Sequence, residues 1–446
     1  MDNQLKVGFG RQCITPLEPV PLQGYGNVMR RISNNVLSDL YTTCIAFTDA
    51  AGETVLLFHN DLTSSGEEIC VPIRDAIHQA TGIPISHILI AATHTHSAPA
   101  CGQLSAPCIV RYNQYLLEQM VKAAQAALED RGPATLQVAR CDTKDLNFVR
   151  HYVLEDGSYK GDNFGTSRKS PYAGHTTLAD PEMRLVKLQR QNAKDIWLVN
   201  WQCHPHRTGG SKKYDVSSDI IGVMRQEIEE QTDCLFAYFT GGAGNLNPFS
   251  NIKTENVYAD YLESGKALAD HAMKGAANFQ NVRAGRILLE ERIHWQPINR
   301  PDASLYEKAC VIKERWEAEG DFKALIPQCD AAGINSPYAA NSIVRRYRAK
   351  VDQLKMPMYA FAIGDVAFIT APYEMFDTNA RYIRENSPFP MTIVVSCAND
   401  ANAYVPSAYG YIHGCYEADN SWFAPGTGEI LAQMYVQMLK EIYEST

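Results

Sequence analysis

The chain carries 12 cysteines among 446 residues, yet no two are spaced C-x-x-C. In a chain this long, scattered thiols of this kind are expected to be reduced and mostly buried, not a disulfide framework. Cys203, beside His204, is the one to watch. Long apolar runs are missing too: none approaches the roughly 18 residues of a spanning helix, so no stable membrane insertion is expected. The start, Met1-Asp2-Asn3-Gln4-Leu5-Lys6, lacks a basic stretch followed by an apolar one, which makes a soluble, cytoplasmic protein the default expectation. Basic blocks are also absent. With 41 Lys and Arg against 50 Asp and Glu, the formal net charge is −9, which excludes general attraction to phosphate backbones and makes nucleic acid a poor partner. The glycine-rich segment Gly241 to Gly244 lacks both the P-loop pattern and the dinucleotide fingerprint.

What is present is an ordinary globular composition, 45% hydrophobic and 20% charged. Short apolar or β-branched runs alternate with longer amphipathic stretches, the pattern of an α/β protein. Strands are expected at Thr54 to Phe58, His87 to Ala91, Asp195 to Trp201, Cys234 to Phe239, Val366 to Thr370 and Met391 to Val395. Helices are expected at Glu67 to Gln79, Asn113 to Glu129, Asp219 to Glu230, Val257 to Met273, Tyr373 to Glu385 and Glu429 to Glu441. The predicted fold class is therefore α/β: a mixed β-sheet core with flanking helices and a site at the C-terminal ends of strands. Residues 301–355 read as a helical insertion, free of strand signals, with helices at Ala303 to Ala318 and Ala339 to Lys355; a surface excursion, a lid and a subunit contact are its readings. Gly161 to Ala179, rich in Gly, Ser, Thr and Tyr, reads as a long loop.

Polar residues recur just after the expected strands, where open α/β sheets place ligands. They include Asp61, His94 with His96, His204 with His206, Asn245 and Asn247, Glu374, and Tyr404. Two H-x-H pairs with a carboxylate suit a catalytic metal site, which takes about three or four protein ligands and keeps one position open. If extended backbone continues through Thr95, His94 and His96 point the same way. A hydrogen-bonded structural histidine is the plainer reading of each. For Gly241 to Gly244 the readings are a plain turn, or a turn that offers backbone amides to a substrate oxygen.

The ordered series Gly8 to Arg11, Ile14 to Pro16, Leu22 to Gly26, Asp39 to Tyr41, Asp61, Thr93 to Ser97, Asn147 to Arg150, His204-Pro205, Gly244 to Pro248, Pro372 to Glu374 and Tyr404 to Glu417 resembles the catalytic domain of the neutral, non-lysosomal ceramidase family, as a divergent bacterial-type member. The resemblance implies one catalytic domain over 1–446, and one zinc per chain held by His94, His204, Glu374 and Tyr404. It places His96 in the catalytic machinery and Arg150 and Tyr416 on the substrate or the tetrahedral intermediate. Three departures qualify it. Asn247 stands where the family has its serine nucleophile, and an amide side chain is no nucleophile. The chain stops at Thr446, without the family's C-terminal immunoglobulin-like domain. No secretory leader is evident, and ceramide itself is therefore not the expected substrate.

The expected chemistry is zinc-dependent hydrolysis by metal-activated water, on an amide or ester bond of a small polar substrate. His96 serves as proton handler, while Arg150, Tyr416 and Asn247 or the Gly242 to Gly244 amides stabilise the oxyanion. Asp61 and Asp219 are candidates to support ligand imidazoles, or else caps and ion-pair partners. His206 is a candidate substrate contact, and Tyr411 and His413 have no assigned role. Glu374 is expected to open a helix, where the dipole alone explains a carboxylate; a core aromatic and a surface ion pair are the plainer readings of Tyr404 and Arg150. Rival functions are a metal-dependent lyase or glycan-processing enzyme, and a non-catalytic metal-binding protein. A homo-oligomer is left open. Elemental analysis of the purified protein is expected to find about one first-row divalent ion per chain, since His, Glu and Tyr donors accept several such metals; protein free of metal after purification without chelators counts against the metal reading.

Overall fold

Strands form the interior because their apolar residues occur in runs that are buried on both faces, as in Thr54–Asn60 and Ile88–Ala92. The computed structural model describes residues 4–25, 28, 31–102, 105–162 and 170–445. Its main sheet runs in the order Leu235–Thr240, Ile196–Trp201, Glu182–Arg190, Gly132–Asp142, Lys6–Cys13, Tyr41–Thr48, Thr54–Asn60 and Ile88–Ala92, with Gln280–Val282 paired to Gly132–Asp142. A second sheet is ordered Ile287–Pro297, Gln353–Ile363, Val366–Thr370 and Met391–Val395. Both are mixed: the two end pairs of the large sheet and the last pair of the small one are parallel, and the pairs along the rest of both ladders are antiparallel. The expected mixed sheet with flanking helices is thus observed, as two sheets stacked face to face.

The stacked faces bury Leu57, Leu89, Leu198 and Phe239 against Phe361, Phe368 and Ile393. Phe361 and Phe368 stack with ring centroids 4.6 Å apart, and Phe47 meets both at 6.5 and 6.2 Å. Helices α1 (Glu67–Thr81) and α2 (Pro107–Glu129) cover one half of the large sheet's outer face, and α3 (Asp219–Thr232) and α4 (Tyr261–Ala276) cover the other. Among the described residues no helix is long and apolar enough to cross a membrane.

The insertion grows from the tip of the hairpin Ile287–Pro297/Gln353–Ile363. It comprises α5 (Ala303–Glu319), α6 (Ile326–Ala332) and α7 (Pro337–Arg348), with its own core of Ala309, Ile312, Cys329 and Ile343. Beyond it come α8 (Asp377–Glu385), α9 (Ala408–His413), α10 (Tyr416–Asn420) and α11 (Thr427–Glu444); α8 and α11 cover the outer face of the small sheet. Helix α7 packs on α10, and Asn335 Nδ2 donates to both carboxylate oxygens of Asp419. The insertion is therefore docked, and Tyr338 of α7 reaches the cleft described below.

Several sequence expectations need correction. The helix expected at Ala339 to Lys355 ends at Arg348, and Gln353 and Leu354 already belong to a strand. The helix expected from Tyr373 begins at Asp377; Glu374 lies instead on a two-residue strand. Within Gly161 to Ala179, Tyr172–His175 pairs with His151–Leu154 as a strand, while residues 163–169 lie outside the described residues, as does Gly26. The strands that escaped notice, such as Lys6–Cys13 and Ile287–Pro297, mix polar residues or glycine into the pattern.

Gly8 and Gly10 explain the first of these. A Cβ at Gly10 would stand 2.1 Å from the carbonyl oxygen of Ala123, and one at Gly8 would stand 1.9 Å from that of Ala127, so the α2 backbone lies directly on the strand. Gly10→Ala is expected to cost about 1–3 kcal/mol or more in urea unfolding. Gly174→Ala, where a Cβ meets open space, is expected to stay within about 0.5 kcal/mol.

Candidate metal centre

Three parallel strand pairs end at one place. The Thr240 hydroxyl donates to the Thr93 carbonyl, and the Ser396 amide donates to the Thr240 carbonyl. The loops that leave these ends carry His94, His204, Glu374 and Tyr404 into contact range.

His94 follows Ile88–Ala92 with φ at +70°, in the left-handed region that non-glycine residues avoid. Its amide donates to Leu62 O at 2.9 Å and its Nδ1 to Thr63 O at 2.6 Å, which hold the strained turn. Strand alternation does not continue through Thr95, so His94 and His96 converge by a backbone turn and not by the pleat. Their Nε2 atoms lie 3.4 Å apart. Gly24, with φ +116°, packs against His96 so closely that a Cβ would sit 2.4 Å from the histidine Cβ.

His204 is fully buried, and its Nδ1 donates to the Ala243 and Leu246 carbonyls at 2.8 and 3.0 Å. With Nδ1 protonated in both His94 and His204, each Nε2 presents a lone pair. Both lone pairs face Glu374 Oε2, at 3.3 Å from His94 and 3.1 Å from His204. Glu374 and Tyr404 are directly opposed partners in a short parallel pairing, which sets their side chains next to each other.

These residues fit a divalent cation. Lone pairs that converge on a carboxylate repel unless a positive charge stands among them, and one ring nitrogen from each of His94, His96 and His204 lies within 4.8 Å of the other two. Burial opposes ionisation of Glu374, but His94 and His204 outweigh it and hold its carboxyl well below the usual range. Burial likewise opposes charge on His94, yet Cys397 and Glu374 raise its proton affinity well above that of a free imidazole. A proton there takes the place that a cation would fill. His204 is pushed down to about 4, by burial and then by Arg150.

A cavity of about 950 Å³ opens over the centre. His96 lines it, and burial and then His94 keep this imidazole neutral. Arg150, 3% exposed, forms an ion pair with Glu417 and donates to Gly244 O at 2.7 Å and to the Tyr404 hydroxyl at 3.2 Å. Glu417 also accepts from His151 Nε2 at 2.7 Å; burial disfavours its charge, but Arg150 and His151 hold its carboxyl down to about 2. His151, Cys415 and Glu417 form a second convergent group among the described residues, but Arg150 and His151 already occupy both oxygens of Glu417. Tyr416 lines the cleft with its ring 5.7 Å from that of Tyr404. Asn247 lines it too, accepting from His206 Nε2 at 3.0 Å and donating to Asp162.

Other expectations are corrected. The Gly244 amide donates to Met375 O, so it does not serve an oxyanion, and Asn245 is spent on Asp377 and Tyr409. Asp61 pairs with Arg225 at 2.8 Å, and Asp219 accepts from the Arg207, Thr208 and Ile220 amides, so neither supports a ligand imidazole. Glu374 opens no helix. Arg150 is no surface ion pair. Tyr411 donates to Phe423 O, and His413 stacks on Tyr159 at 3.9 Å, away from the centre. All 12 cysteines are free, as expected, and burial raises the Cys203 thiol well above its usual range. Sequence reasoning missed Glu417, His151 and Asp162, whose relevance is visible only through their contacts with Arg150 and Asn247.

No family model matches the chain. Among solved structures, a neutral ceramidase from Pseudomonas aeruginosa is similar with a TM-score of 0.74 at 18% identity, over 100% of this chain and 75% of that one. A structure described as ceramidase complexed with C2 is similar with a TM-score of 0.73 at 17% identity, over 100% and 76%. The likeness is one of fold.

Removing a ligand from such a centre is expected to weaken metal binding by at least about 100-fold. His204→Ala and Glu374→Ala, titrated with zinc against a chelator of known affinity, test this; wild-type affinity in both variants would remove the centre from consideration.

Proposed function

We propose that the chain is a metal-dependent hydrolase of the neutral ceramidase family, acting as one catalytic unit over 1–446 on the amide bond of a small polar substrate. The observation that carries this reading is the convergence of two Nε2 atoms on the Glu374 carboxylate at 3.1 and 3.3 Å, beside a cleft lined by His96 and Tyr404. The ceramidase fold supports the hydrolase class and the C–N bond.

His94, His204, Glu374 and Tyr404 would hold one zinc ion. When bound, that ion polarises the scissile carbonyl and acidifies water. His96, neutral and facing the cleft, takes the proton of the attacking water on its ring nitrogen and returns it to the leaving amine. Arg150 directs its guanidinium at the same space and, with the Tyr416 hydroxyl, stabilises the charge that develops on the carbonyl oxygen. The Glu417 ion pair sets the plane of that guanidinium before substrate arrives. Asn247 is no nucleophile; its amide, fixed between His206 and Asp162, orients substrate. Arg150, Asp162, Arg207 and Asp260 give the cleft charged groups to hold a polar substrate, beside the rings of Tyr25, Phe249, Tyr258 and Tyr338.

His96→Ala is expected to lower kcat by about 100- to 10,000-fold while zinc content stays at the wild-type level. The assay is a panel of N-acyl amines, short-chain ceramide, esters and glycosides, run with and without metal. Turnover of glycosides alone, or undiminished amidase activity in His96→Ala, rejects the proposal.

A further inference from the structure

Among the described residues, Arg31 is a buried cation without a counter-ion. The residue is 4% exposed, and its guanidinium donates to the carbonyls of Lys213 and Gln23 and to Ser97 Oγ at 3.4 Å. A guanidinium has five donors, so two are left without a partner among the described residues. Among the described residues no carboxylate lies within ion-pair distance of it. The nearest in its hydrogen-bonded chain is Asp219, reached through Ser97 and Thr208, and that carboxylate is already occupied by Thr208 and three backbone amides. The guanidinium stacks on Tyr25 at 4.6 Å, and burial pushes its pKa down to about 10. Proteins normally pair a buried charge, because an isolated one is costly.

This cation lines a second cavity, of about 770 Å³, which shares Tyr25 and Tyr338 with the catalytic cleft. The insertion supplies its far wall. There Trp316 and Phe322 pack against Tyr338 with ring centroids 5.0 and 5.2 Å apart. From Tyr338 the rings continue inward to Tyr416 at 5.7 Å and then to Tyr404 at 5.7 Å, at the metal centre. Lys213 and Lys313 stand at the rim, with Glu317 bound by Lys313 as the one lining carboxylate among the described residues. A chain of net charge −9 thus holds a locally positive, aromatic-walled chamber beside its centre.

We propose that this chamber binds a planar or apolar group that ends in an oxyanion, the anion seated on Arg31 and the ring against Trp316 and Tyr338, as the distal part of the substrate. The last clause rests on the hydrolase reading; the anion site does not. Aromatic faces supply area at low entropic cost and the guanidinium fork supplies charge selection.

The probe is naphthalene-2-sulfonate, a planar anion that ligates zinc poorly, compared with neutral naphthalene-2-methanol by calorimetry on the zinc-loaded full chain. The sulfonate is expected to bind about tenfold tighter or more, and Trp316→Ala and Lys213→Ala are each expected to weaken it about three- to tenfold. Arg31→Gln is expected to abolish the preference for the anion; because Arg31 also ties two loops, its melting curve is recorded, and the two rim and wall variants carry the test if it fails to fold. Equal affinity for sulfonate and alcohol, or sulfonate affinity unchanged in both Trp316→Ala and Lys213→Ala, overturns the proposal. Binding that follows the expected pattern while no amide is turned over upholds the anion site and rejects the hydrolase reading instead.

Discussion

The carboxylate of Glu374, enclosed between two imidazoles whose outer nitrogens are committed to backbone carbonyls, is the constraint on which the site depends. Thr63 holds His94 and the Ala243–Leu246 turn holds His204, so neither ring can rotate to turn a proton toward the carboxylate without losing a buried hydrogen bond. The arrangement is stable only with positive charge at its middle. That requirement accounts for the left-handed backbone at His94, since a strained turn persists where the surrounding contacts overrule it. Gly24 lets a second loop lie against His96, the neighbouring imidazole.

A second buried charge system lies beside the first. Arg150 and Glu417 neutralise each other while His151 takes the remaining carboxylate oxygen, and the guanidinium is thereby fixed against Tyr404. Such a pair contributes little net stability, because desolvation offsets much of the attraction. Its value is positional. The stacked sheets make this precision attainable: strands locked by antiparallel ladders and a shared aromatic core give the loops rigid roots. The insertion then completes the cleft from outside, with Tyr338 meeting Tyr416 across the gap.

Legibility in the sequence followed a physical rule. Val366–Thr370 and Met391–Val395 were located to the residue, and Thr54–Asn60 nearly so, because strands buried on both faces are apolar without interruption. Gly132–Asp142 was not, since an antiparallel strand that interrupts its apolar residues with Thr135, Gln137 and Arg140 resembles a loop when read alone. His94, His96, His204, Glu374, Arg150, Asn247, Tyr404 and Tyr416 were all marked; five of them line one cavity, and His94, His204 and Glu374 meet behind His96. Of the two readings of Asp61 and Asp219, imidazole support or ion pairing and capping, the structure shows the second, with Asp61 on Arg225 and Asp219 on backbone amides.

By itself the sequence supplied donor types at strand ends: two H-x-H pairs, a late Glu and a late Tyr, each just past an apolar strand. Local pattern suffices there because the residue types and the strand ends are both local properties. Only the tertiary structure decided the rest. Which imidazole nitrogen faces inward depends on carbonyls some 30 to 40 positions away, Thr63 for His94 and Ala243 for His204. Glu417 finds Arg150 across 267 residues, and Arg31 is enclosed by loops from three parts of the chain that offer it no carboxylate among the described residues. Charge balance in a buried space is a property of everything that encloses it, and no stretch of sequence contains that information alone.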